Sequence, residues 1–237
     1  MKRFCVLTTG RTGSTSLLDA LSCYEDIAVP DKQINCPDNE LFHPERVRQH
    51  AVEYSKLTGM ESRNEQLLLD AFFHSNKQAA FAGFKTMPNR HQDTQAFFRD
   101  NNIQVITLLR DDIASTVASF IVAADFNTWR RNGGEQKFNA TFIPEHEQRV
   151  ISHLTYILSS MELFKTYSNV IHLTYEELCK DDFCSRELDD FFQHQIKLQQ
   201  PKQPISGESY INNWDEFTRF VEDQSIWIKD QFKGVYS

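Results

Sequence analysis

The sequence predicts an α/β fold, with a central parallel β-sheet flanked by helices, and three observations carry that prediction. Four short runs are apolar and rich in strand-formers: residues 3–9, 79–86, 103–109 and 169–173. The segments between them space their apolar residues as helices do, the pattern of crossover helices that cover both faces of a buried sheet. The first run also opens through Gly10 and Gly13 into a helix start, Ser14-Thr15-Ser16, so that strand, turn and helix N-terminus follow without a break.

Taken in order, the first strand (Phe4, Cys5, Val6, Leu7) leads to a helix with Leu17, Leu18 and Leu21 at helical spacing. Residues 24–43, rich in Pro, Asp and Asn, read as irregular. Helical patterns at 44–57 and 61–74 precede the second strand, and 90–101 precedes the third. Asp111 or Asp112 then caps a helix that runs to about Arg130. Residues 131–144, with Gly133-Gly134, form a loop, and 145–167 carries Val150, Ile151, Leu154, Ile157, Leu158, Met161 and Phe164 as an amphipathic stripe. Beyond the fourth strand, helices span roughly 175–193 and 214–232. No repeat and no low-complexity tract interrupts the 237 residues, which suit a single domain over 1–237.

Composition narrows the function. The net charge of −8 argues against a basic nucleic-acid surface, so an anionic ligand would have to meet locally concentrated cations. No apolar run reaches the ~18 residues of a membrane span, and the first strand begins within a few residues of Met1, so no membrane partner and a cytoplasmic location are expected. The five cysteines are odd in number and lack metal-type pairing, as reduced thiols do. Nineteen phenylalanines imply a thick aromatic core or an apolar groove.

The turn after the first strand is built to hold an anion. Backbone N–H groups and the positive end of the helix dipole converge there. Ser14, Thr15 and Ser16 add hydroxyls, and Arg11 adds a planar cation suited to phosphate or sulfate oxygens. Glycine and hydroxyl residues also stand before helices for capping alone. The nucleotide-hydrolysing P-loop, GxxxxGK[ST], needs a lysine that this turn lacks, because Ser14 follows Gly13. A second constellation lies at Val105–Phe120, where a strand ends in Arg110 and passes into a capped helix with Ser115 and Ser119 one turn apart.

Together the two sites resemble the sulfotransferases that use 3′-phosphoadenylyl sulfate (PAPS), with closest likeness in motif to bacterial carbohydrate sulfotransferases of the trehalose type. Arg11-Thr12-Gly13-Ser14-Thr15 is similar to that family's RSGST loop. The resemblance implies a P-loop-like sulfotransferase fold in which Arg11, Thr12, Gly13, Ser14, Thr15 and Ser16 hold the 5′-phosphosulfate. It also implies that Arg110 and a helix serine hold the 3′-phosphate. The family places that serine eight residues after the arginine; Ala118 stands there, so Ser119 is the first choice and Ser115 the second. Leu173-Thr174-Tyr175-Glu176-Glu177-Leu178, Ser119-Phe120 with Ala123 and Trp129, and Asn213-Trp214-Asp215-Glu216 extend the likeness along the chain.

The implied reaction moves a sulfuryl group from PAPS to a hydroxyl of a carbohydrate or another small polar acceptor, releases adenosine 3′,5′-bisphosphate (PAP), and requires no metal. Arg11 is the expected catalytic cation. Glu40, in Cys36-Pro37-Asp38-Asn39-Glu40-Leu41-Phe42, resembles the family's P-x-E-F-F element and is the expected base, with His43 as rival. A solvated loop glutamate is the plainer reading of Glu40. Lys85, at the end of the second strand, points toward the same crevice, where it can hold the sulfuryl group or the acceptor. The alternatives are a P-loop kinase with Asp111 or Asp112 on Mg²⁺, and an anion-binding protein without chemistry. The aromatic helix 214–232 suits either a core position or a homodimer contact.

Overall fold

Alternation within each strand determines which helices it meets. In β1 (Lys2–Thr8), Phe4 and Val6 face one way and Cys5 and Leu7 the other, all fully buried. The structure is a computed structural model and describes residues 1–30, 40–58, 65–88, 94–126, 140–198, 208 and 210–232.

Five parallel strands form the sheet: β1, β2 (Ile27–Ala28), β3 (Phe81–Thr86), β4 (Ile103–Leu109) and β5 (Val170–Thr174). Their order is β2-β3-β1-β4-β5, with Val6 beside Lys85 on one side and Ile106 on the other. The chain leaves β1 toward β2 and β3, then crosses to β4 and β5. The carboxyl ends of β1, β3 and β4 therefore lie side by side at the point where the winding changes direction, where open α/β sheets form their ligand crevice.

Phe4 and Val6 pack with Leu17, Leu18 and Leu21 of α1 (Ser14–Leu21). The same face takes Leu178, from the short helix Tyr175–Leu178, and Leu188 and Phe192, from the helix Arg186–Phe192. Cys5 and Leu7 pack on the opposite face. Their neighbours come from the helices Glu65–Ser75 (Leu69, Phe73), Thr94–Asp100 (Phe98) and Glu147–Lys165 (Phe164). In chain order the helices after α1 are α2 (Pro44–Thr58), α3 (Glu65–Ser75), α4 (Thr94–Asp100), α5 (Ile113–Asp125), α6 (Glu147–Lys165), α7 (Tyr175–Leu178), α8 (Arg186–Phe192) and α9 (Trp214–Phe232). A third apolar cluster joins α5, α6 and α9 through Ile121, Leu154, Phe217 and Val221.

Much of the phenylalanine content is core. Phe4 and Phe81 meet Phe191 and Phe192 of α8 edge to face, and on the other face Phe84 meets Phe42 edge to face and Phe73 at a tilt. Gly83 belongs to this packing, since a Cβ there would fall 2.4 Å from the ring of Phe4.

Three expectations are corrected. The two-residue strand β2 lies inside the segment read as irregular, too short to announce itself by pattern. The helix expected over 175–193 is two helices. Its first ends at Leu178 with Cys179 as its C-cap, and Ser185, whose hydroxyl accepts the Leu188 N–H, starts a second. The helix after β4 ends at Asp125 with Phe126 as its C-cap, short of Arg130. The sequence 131–139 of the expected loop lies outside the described residues. Among the described residues, no helix is long and apolar enough to cross a membrane.

Candidate anion site at the strand ends

The turn from β1 to α1 is wound in the left-handed region. Gly10, Arg11 and Gly13 have φ of 84°, 57° and 81°. For Arg11, an L-residue, that conformation costs about 1–2 kcal/mol, and such cost persists where the surroundings impose it, often at functional sites. Gly13 is further constrained, because a Cβ there would approach the Tyr175 ring to 3.0 Å. Successive residues of this kind turn their N–H groups to a common side, a shape that suits an anion.

Inside the turn, Thr8 and Thr12 share a hydrogen bond between their hydroxyls, and Thr12 is fully buried. Thr12 thus braces the loop against the strand end. Gly13 stands at the N-cap of α1 without a side chain to cap it, and no acidic residue occupies the first turn. The positive end of the helix is therefore not offset by a carboxylate of its own. Ser14 is buried, while Thr15 and Ser16 are half-buried at the helix start.

Cations approach the turn from three directions. The Arg11 Nε donates to Ser119 Oγ on α5 at 2.9 Å, across 108 residues of sequence. Lys85, one residue before the end of β3, is almost wholly buried, and its Nζ donates to Thr15 Oγ1 at 3.3 Å. Arg110, at the end of β4, is also buried and stacks its guanidinium over the Tyr175 ring at 4.5 Å. Because Tyr175 also packs on Gly13, the Arg110 and Arg11 regions are joined through one aromatic ring. Burial pushes the Tyr175 hydroxyl well above the ordinary tyrosine range, so it stays protonated.

Glu176, part of the element named in the sequence, has a bracing role here. Its carboxylate accepts the N–H groups of Asp111 (3.1 Å) and Asp112 (3.3 Å) and lies 4.0 Å from Arg110 Nε. Asp112, rather than Asp111, caps α5: its carboxylate accepts the Ser115 N–H at 2.8 Å. Ser115 is fully buried one turn below Ser119. Asp111 is held above the usual carboxylate range by desolvation first, and then by Glu176 and Glu177.

Glu40 is not a solvated loop residue. It is 2% exposed and its backbone pairs with Lys85 in a parallel bridge, which brings it beside the carboxyl end of β3. His43 is half-buried ahead of α2, and its Nδ1 accepts the Glu45 N–H at 3.3 Å. A neutral imidazole whose Nδ1 accepts carries its proton on Nε2, which leaves no lone pair there to take another.

The sequence reading missed one residue of this neighbourhood. His153 of α6 stacks on Phe120, next to Ser119, with centroids 3.7 Å apart. Its pKa is pushed down to about 4, first by burial and then by the charge of Arg11. The depressed value means that the unfolded chain binds a proton before the folded one does, so this group's contribution to stability is lost as pH falls from 6.5 toward 4. His153 interrupts the apolar stripe of 145–167 between Val150 and Leu154, the one sign of it available in the sequence.

Thus Arg11, Thr12, Gly13, Ser14, Thr15, Ser16, Lys85 and Ser119 lie at or directly against one turn, and Arg110 joins them through Tyr175. Glu40 joins by its pairing with Lys85, and His43 follows it by one short turn, its N–H donating to Glu40 O at 3.4 Å. No protein-family model matches this chain, and no curated protein matches it.

Proposed function

We propose that this chain is a sulfotransferase that moves the sulfuryl group of 3′-phosphoadenylyl sulfate to a hydroxyl of a carbohydrate or similar small polar acceptor. The observation that carries the reading is the Arg11 turn: a strained left-handed arginine, fixed on Ser119, at the uncapped start of α1. Arg110 and Lys85, from the flanking strand ends, give the same turn the charge that a doubly phosphorylated nucleotide needs in a protein of net charge −8. The reading also places the P-loop-like finer fold on this sheet.

In this reading the turn and Arg11 hold the 5′-phosphosulfate, and Arg110 with Ser119 or Ser115 holds the 3′-phosphate. The donor supplies an activated sulfur–oxygen bond. The acceptor oxygen bonds to sulfur as the bond from sulfur to the bridging phosphate oxygen breaks, and adenosine 3′,5′-bisphosphate leaves. Arg11 offsets the charge that develops on the leaving oxygen. Glu40 receives the acceptor's hydroxyl proton; it is carried beside the carboxyl end of β3 by its pairing with Lys85, at the mouth of the same turn. Lys85 lies within reach of both the helix start and the Glu40 segment, and it orients the group in transfer.

Thermal shift with adenosine 3′,5′-bisphosphate tests the reading. The bisphosphate should raise the melting temperature equally with and without Mg²⁺. Stabilisation by ATP with Mg²⁺ alone would instead assign the chain to the kinases, and no stabilisation by either would remove the nucleotide. Glu40→Gln should lower the rate of transfer by about 10²–10⁴-fold without changing bisphosphate affinity. His43→Asn should leave the rate near wild type, because its Nδ1 is engaged with Glu45. The opposite ranking in a sulfation assay would make His43 the base.

A further inference from the structure

Helix α6 carries a histidine that the scheme above does not use. His153 lies flat on Phe120, with ring planes 9° apart, and its Nε2 is buried with no hydrogen-bond partner among the described residues. A buried polar atom left unmet lowers stability, and a phenylalanine would fill the same stack without that loss. An unmet buried polar atom in a native structure calls for an explanation, and work in another state of the protein is one.

Its surroundings indicate that work. The residue beside Phe120 is Ser119, which holds Arg11 at 2.9 Å, and the Arg11 charge is felt at the imidazole. Along its own helix the ring meets Tyr156, at 6.1 Å between centroids. α9 contributes Phe217, Val221 and Ile228 to the cluster behind α5 and α6, all apolar. The acid at the end of α5, Asp125, is already taken up by Arg149 at 2.8 Å and His146 at 3.1 Å, one turn or more before His153. Arg11 is thus the charged group whose influence reaches the ring, and burial first, with that influence second, keeps the ring neutral.

We propose that His153 completes the anion site of Arg11 and Ser119, taking up a proton when a dianion docks on Arg11 and adding a positive charge to those of Arg11, Lys85 and Arg110. The inference rests on the reading of the Arg11 turn as an anion site. A bound dianion offsets the Arg11 field, which adds to burial in opposing protonation, so the two equilibria must be linked, each favouring the other. His153 acts through charge rather than contact and is a positioning residue, not a catalytic one.

Inorganic sulfate is the probe, because it carries no proton to release near neutral pH. Calorimetric titration of the whole chain at about pH 5.5 and about pH 7.5, in buffers of different ionisation heat, reads both affinity and proton uptake. The wild type should take up protons and bind sulfate at least about fivefold more tightly at the lower pH. His153→Phe, which keeps the stack, should take up none and bind equally at both. His153→Gln, read in the same way, covers the case in which the larger ring disturbs packing. The same pH dependence in the wild type and both variants overturns the role of His153 and leaves the nucleotide reading standing. If neither sulfate nor adenosine 3′,5′-bisphosphate binds the wild type, the anion site itself falls, and this inference with it.

Discussion

Replacing Arg11 by alanine should nearly abolish sulfuryl transfer while leaving the fold in place. Losing hydrogen bonds to a charged ligand costs about 1.5–3 kcal/mol, which is roughly a 10- to 150-fold loss in bisphosphate affinity. Removing a cation from the site of developing charge should cost a further ~10²–10³ in rate. The backbone of the turn should tolerate the change, since Thr8 and Thr12 hold it from within and Gly13 packs on Tyr175. Arg11→Lys keeps the charge but loses the fork that reaches Ser119, so it should recover only part of the affinity. Arg110→Ala provides the contrast: it should weaken binding of the bisphosphate but spare that of adenosine 5′-phosphate. Calorimetry with the two nucleotides, beside a sulfation assay, reads all three variants. Undiminished transfer by Arg11→Ala would remove the arginine from the chemistry.

Gly83→Ala should be the most destabilising single change of comparable size. The added carbon would lie 2.4 Å from the Phe4 ring, which is fully buried and set edge-on against Phe192 with centroids 5.0 Å apart. Phe4 has no open side toward which to retreat, because Leu17, Leu21 and Phe81 belong to the same cluster. Overpacking of this kind costs about 1–3 kcal/mol, sometimes more, and at roughly 2–4 °C per kcal/mol for a chain of this size the melting temperature should fall by several degrees. Phe4→Leu makes room, so the double variant should recover part of the loss, and that coupling identifies the contact as the cause. A melting curve for Gly83→Ala that overlays the wild type would show that the sheet yields more easily than its packing implies.

The sheet and the turn were legible in the sequence because their signals are local. Phe4 to Leu7, Phe81 to Thr86 and Ile103 to Leu109 are continuous apolar runs, and Gly10, Arg11 and Gly13 sit between strand and helix within a few residues. The charged residues at the strand ends, Lys85 and Arg110, followed from strand direction alone. What could not be read depends on pairs far apart in the chain. Nothing in Arg11 names Ser119 as its partner, and nothing in His153 names Phe120 or Arg11. Glu40 looked like a loop carboxylate until its backbone pairing with Lys85 placed it in the interior. The single helix expected at 175–193 failed because periodicity continues across a break that Ser185 makes by capping α8.

The pairing of Glu40 with Lys85 also bears on how such a protein can change over evolutionary time. A carboxylate carried on a free segment would move with every insertion or deletion nearby. Here its position is set by β3, because its backbone pairs with Lys85 in a parallel bridge. A change of length elsewhere in the chain therefore leaves the Glu40 segment beside Lys85 for as long as that pairing is kept.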